Sequence, residues 1–216
     1  MEPRSPEIPT SNNITLLKDK ITEVSGFTKE ITIRADNVGA QEWPGMLAGT
    51  QSDGRERGLI VYRNPLSKNK FTPSKIIVGE KTHIAPLFSD IGLKGFLFPI
   101  AAKIHTHPRT PEVQHLKTLI PVDGDLQLFF GYDYSAMITL DDGGAHLLIR
   151  TGESIRQDPP PSNLIGNAIG KEAARGGIVA DVQKKLNTIL SEYGISYFYT
   201  ESLTPSEDGT VTFKKP

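Results

Sequence analysis

The apolar run GFLFPIAAKI (residues 95–104) leads directly into His105, Thr106, His107 and Pro108. A run of this length is far too short to span a bilayer and reads as a buried strand. Successive side chains of a strand alternate faces, so His105 and His107 point the same way. Pro108 has no N–H to give to a ladder and helps to end the strand there. The chain has only five histidines, and two of them are set side by side where a buried strand meets a loop.

A buried strand needs partners, and the sequence offers several. RERGLIVYRN (55–64) is a strand with Leu59, Ile60, Val61 and Tyr62 in a row. KFTPSKIIVG (70–79) is a second, placed toward an edge by Pro73. KEITIRAD (29–36) alternates Ile31 and Ile33 with polar neighbours, and GISYFYTESL (194–203) is a further strand. SAMITLDDGGAHLLIRTG (135–152) predicts a hairpin, two apolar runs around a DDGG turn.

Helical spacing marks residues 13–24, and again 164–193, where Ile178, Val182, Leu186, Ile189 and Tyr193 form one stripe broken upstream by Gly176-Gly177. DLQLFFGYD can open a helix, with Asp123 or Asp125 as N-cap. NVGAQEWPGMLAGTQSDG (37–54) reads as a loop, and QDPPPSN (157–163) as a proline linker. Phe129, Phe130, Tyr132 and Tyr134 read as core packing, and His83 and His146 as structural or exposed. The expected fold class is mixed α/β (α+β), with strands clustered in the middle. Three segments are expected: an N-terminal extension (1–45), a core (46–156), and C-terminal helices with a strand packing on the core (157–216).

The 216 residues carry a net charge of −1 and no cysteine. The first gives no basic surface for nucleic acid or anionic membrane. The second excludes disulfides, cysteine-type zinc sites, cysteine nucleophiles and deaminases that need a Cys pair. The N-terminal MEPRSPEIPTSNN has no apolar h-region, so the expectation is a cytoplasmic protein or one secreted without a classical signal peptide.

Two imidazoles on one side suit zinc, but a catalytic site needs a third ligand, an open position and a carboxylate to move a proton. Amidohydrolase barrels also begin with H-x-H after a strand, yet they need a longer chain and more downstream histidines than His115 and His146. H-E-x-x-H is absent, and HTHPRT lacks the Asp and third His of a metallo-β-lactamase site.

One arrangement does fit. Glu56 ahead of GLIVYRN, then KIHTHP, then PVDGDL resembles the JAB/JAMM (MPN+) metalloprotease family, and is especially similar to its DUF4329-type bacterial branch. The resemblance covers about residues 50–150. It implies a JAB/MPN-like, cytidine-deaminase-like central mixed sheet flanked by helices. It implies a Zn2+ ion held by His105, His107 and Asp125, with Asp123 the alternative third ligand. Glu56 becomes the general base, and the reaction becomes hydrolysis of a peptide or isopeptide bond in a protein or peptide substrate. Otherwise Glu56 is a solvated charge where its strand begins, and Asp125 a plain helix cap.

The third ligand lies 18 residues after the second histidine (125 − 107 = 18), further than in the family pattern. The intervening loop holds His115, a surface residue or a second group near the metal. The family's serine falls on Val122, and Thr118 or Ser135 are candidates to replace its hydroxyl. A catalytically degenerate binding module, or a secreted bacterial effector or toxin domain with an immunity or adaptor protein as partner, are the other expectations that follow from the same resemblance.

Overall fold

The computed structural model describes residues 28–64, 66, 70–79, 98–108, 123–131, 134–150, 161, 163–166, 169 and 179–216. The expected helix over 13–24, the loop holding His115 and Thr118, Val122, and most of the proline linker lie outside these residues.

The chain opens with β1 (Glu30–Arg34), α1 (Ala35–Val38), one 3-10 turn and α2 (Trp43–Asp53). Next come β2 (Arg57–Arg63), β3 (Phe71–Pro73), β4 (Ile77–Val78) and β5 (Ile100–Thr106). Helix α3 (Asp123–Gly131) leads to β6 (Ala136–Asp141) and β7 (Gly144–Arg150). Helix α4 (Val179–Glu192), β8 (Ile195–Thr200) and β9 (Thr210–Lys214) complete the described elements. All nine strands join one mixed sheet in the order β1-β9-β8-β7-β6-β5-β2-β3, with β4 also on β2.

Every pairing is antiparallel except β5 with β6, which run parallel. Parallel neighbours need a crossover, and here the crossover contains α3. The strands in the middle of the sheet are buried along their whole length, as a sheet covered on both faces requires. On one face Leu59, Ile104, Ile138, Leu147 and Phe198 pack with Trp43 and Met46 of α2. On the other, Met137, Leu148 and Tyr197 pack with Leu126 and Phe129 of α3 and with Val182, Leu186 and Leu190 of α4. The result is a mixed α/β sheet between helices.

The DDGG turn joins β6 and β7, and Gly144 adopts φ 145° where a Cβ would lie 2.0 Å from the Thr200 carbonyl oxygen. Asp141 Oδ1 accepts hydrogen bonds from the N–H groups of Gly143 and Gly144 at 2.7 and 3.1 Å, so the strand's last side chain closes its own turn. The C-terminal stripe is confirmed at Val182 and Leu186, with Leu190 rather than Ile189 fully buried.

Three expectations change. The stretch 37–54 is not a loop: it holds the end of α1, the 3-10 turn and α2. Trp43, Met46, Leu47 and Thr50 are buried at helical spacing, and Pro44 sits in the first turn, where a missing N–H costs nothing. Gly49, which suggests a loop, has a packing reason: the Arg57 guanidinium lies across it, where a Cβ would come within 2.7 Å of Cζ. Second, the strand read at 95–104 runs from Ile100 to Thr106 and contains His105. Third, α3 begins at Asp123, so Asp125 lies inside its first turn and not at the cap.

Trp43 is fully buried and its Nε1 donates to the Val38 carbonyl at 3.3 Å. Trp43→Ala is expected to cost about 3–5 kcal/mol in denaturant unfolding. A loss under about 1 kcal/mol would show that α2 does not pack on the sheet in solution.

Candidate metal centre

The site begins with the alternation of β5. Lys103, His105 and, just past the strand, His107 project to the α3 face, while Ile104 and Thr106 project to the α2 face. His105 lies opposite Gly58 of β2. Carrying that register two positions outward sets Glu56 beside His107. The small Gly58 leaves the space above His105 clear of a β2 side chain.

From above, the first turn of α3 lowers Asp125 onto the histidines. Its Oδ1 lies 2.8 Å from His105 Nε2 and its Oδ2 3.0 Å from His107 Nε2. The two Nε2 atoms are 3.2 Å apart. His105 is 1% exposed and Asp125 5%, so the three donors meet out of bulk water. Helix α3 is held by Leu126 and Phe129 in the core and by Arg150. That guanidinium donates to the Phe129 carbonyl and lies 5.0 Å from the Phe129 and Phe130 ring centres. A cation at a helix C-terminus also complements the helix dipole.

The donor set fits a metal ion. A tetrahedral ion with bonds of about 2.0–2.1 Å holds its ligand atoms about 3.3 Å apart, and the observed separations are 2.8, 3.0 and 3.2 Å. The two imidazole nitrogens and the carboxylate converge closely enough for one cation among them to take a bond from all three. The His105, His107 and Asp125 group is therefore able to hold a metal ion.

Electrostatics agree with a site short of positive charge. Burial opposes charge on His107, yet the Asp125 carboxylate, with help from Glu56 and Asp141, holds its pKa above the ordinary value. Burial pushes His105 down to about 4, against the pull of Asp125 and with the Lys103 charge adding to the descent. Burial alone would raise Asp125, but the two histidines hold it well below the usual carboxylate range. Burial and the Asp125 carboxylate thus act in opposite directions on both histidines, and the carboxylate prevails at His107.

The segment carrying Glu56 is fixed from behind the sheet. Thr106, between the histidines, points to the α2 face, where its hydroxyl accepts from the Arg57 N–H at 2.9 Å and donates to the Arg57 carbonyl at 3.2 Å. The Thr50 hydroxyl of α2 meets the same oxygen at 2.5 Å. Arg57 grips Asp53 with both terminal nitrogens at 2.9 and 2.8 Å, and Gly79 N–H donates to the Glu56 carbonyl at 2.8 Å. Glu56 is itself only 8% exposed, which removes the reading of a solvated charge.

Of the residues expected from sequence, Glu56, His105, His107 and Asp125 come together. His115 and Thr118 lie outside the described residues, and Asp123 supplies the first residue of α3. Three residues of the site were missed: Lys103, Thr106 and Asp141. The alternation of AAKIHTH could have revealed the first two, because Lys103 shares the histidine face and Thr106 opposes it. His146 is structural: fully buried, it sets Nε2 2.9 Å from Asp141 Oδ2 and Nδ1 2.8 Å from the Tyr197 hydroxyl. No helix among the described residues is long and apolar enough to cross a membrane. Compared with models of known protein families and with curated proteins, the chain matches none of either.

Purified protein is expected to bind about one ion per chain, and His105→Ala, His107→Ala and Asp125→Ala are each expected to abolish this by elemental analysis. Full metal retention in any one variant would remove that residue from the ligand set. The ion must displace the His107 proton, so apparent affinity falls as pH drops through the raised His107 pKa. A chelator competition from pH 8 to pH 5 should show about a tenfold loss per pH unit on the acid side, breaking above about 6.5. A break below that value would mean that Asp125 and Glu56 do not act on His107.

Proposed function

We propose that this chain is a zinc-dependent hydrolase that cleaves a peptide or isopeptide bond. The carrying observation is the convergence of two imidazoles and a carboxylate on one point, with the buried Glu56 beside it. Three protein ligands leave one position open, the pattern of catalytic rather than structural zinc. The resemblance of the segments around Glu56, His105 and Asp125 to the JAB/JAMM family supports the same assignment.

When bound, zinc supplies Lewis acidity, which lowers the pKa of a coordinated water toward about 7. His105, His107 and Asp125 would hold the ion, away from bulk water. Glu56 accepts the proton of the attacking water, whose oxygen bonds to the carbonyl carbon. As the C–N bond breaks, Glu56 returns that proton to the leaving nitrogen. The base is thus regenerated, and the products are a carboxylic acid and an amine.

Val122 at the position of the family's serine favours a second reading, a binding module that keeps the metal and lacks turnover. Glu56→Gln separates the two. Zinc-loaded protein is expected to hydrolyse members of a panel of peptides and lysine-linked isopeptides. Glu56→Gln is expected to lower the rate at least about 100-fold, with metal content unchanged. Equal rates in both proteins would remove Glu56 as the base. Iron in place of zinc in the purified protein would redirect the reading, since a two-histidine, one-carboxylate set also suits non-haem iron.

A further inference from the structure

Lys103 is 5% exposed, in the middle of the strand that carries both histidine ligands. It stands two positions before His105, so its side chain leaves the sheet on the same face as the metal centre. Its β2 neighbour is Ile60 and its β6 neighbour Met137, neither of which offers an acceptor. Burial lowers its pKa, and the carboxylates of Asp125 and Glu56 are near enough to oppose that shift. Yet no hydrogen bond or ion pair joins it to either, or to any other described residue. Both Asp125 oxygens are committed to the imidazoles.

A lysine buried along its stem with no acceptor for its ammonium among the described residues is costly, and a core position otherwise takes an apolar side chain of similar volume without loss. An ammonium beside a metal centre that lacks its own oxygen partner is suited to an oxygen brought by a ligand. The oxygen chemistry it selects is anionic, or a carbonyl that becomes anionic as a nucleophile adds.

We propose that Lys103 binds the substrate's carbonyl oxygen at this site and the carboxylate of the acid product. This rests on the hydrolase reading, and it puts the stabilising charge on the strand rather than at Val122. Lys103 of β5 and Glu56, just ahead of β2, would then serve one site from neighbouring segments, the first meeting the carbonyl oxygen and the second acting as base.

Acetate serves as the probe of the product carboxylate. Its binding is measured by calorimetry on protein with and without one equivalent of cobalt, for the unsubstituted chain, Lys103→Met, Lys103→Gln and Lys103→Arg. Acetate is expected to bind the cobalt-loaded chain. Lys103→Met and Lys103→Gln should weaken it at least tenfold with cobalt affinity unchanged or higher, and Lys103→Arg should hold it within about threefold. Using two neutral variants guards against one that fails to fold. Acetate binding that is equal in the neutral variants, or absent from the unsubstituted chain, overturns the proposal. Loss of cobalt in the neutral variants also overturns it, because Lys103 would then act in building the site. An unsubstituted chain that takes no cobalt defeats the hydrolase reading instead, and lysine-dependent acetate binding to the metal-free protein would still uphold an oxygen site at Lys103.

Discussion

Strands β5 and β6 run parallel, and parallel neighbours cannot be joined by a tight turn. The chain must leave the end of β5, cross a face of the sheet and return to the start of β6. The histidines lie at the point of departure and α3 lies on the way back. Asp125 reaches them because this crossover has to pass over the face they point to. An antiparallel pairing at the same place would have allowed a hairpin, and the sheet face would have carried two histidines with nothing above them.

The same site concentrates unlike charges in a dry place. Glu56, Asp125, Lys103 and the histidine pair are all buried, and none would be tolerated there alone. Together they nearly balance, and a divalent ion shifts that balance toward positive. A metal held there would therefore favour a ligand that brings negative charge.

The sequence made the strands legible where the physics is local. LIVY, the DDGG turn and the alternation of HTH each fixed an element or a facing direction, and the structure repeats them. Helix α2 was hidden because Gly45, Gly49 and Pro44 read as breakers. Their tolerance depends on Arg57 and on first-turn geometry, neither of which is visible in a local window. Strand β9 went unread for a similar reason: TVTFK buries only Val211 and Phe213, and becomes a strand by pairing with β1 some 180 residues away. Glu56, His105, His107 and Asp125 were found because each lies in a short motif. Lys103 and Thr106 are not legible in the same way, because neither residue type is a usual metal ligand and only the two faces of the strand bring them to the site.

Thr106 gives the histidine pair a second connection. One side of its peptide is the metal centre; on the other its hydroxyl reaches the backbone of Arg57 and the first helical layer through Thr50. The spacing between Glu56 and the histidines is thus held mechanically: α2 is joined through one buried oxygen to the residue next to Glu56. The α2 layer on one face and the histidines on the other are thereby tied to each other through the sheet, so that the packing around Trp43 and the placement of Glu56 belong to one connected unit.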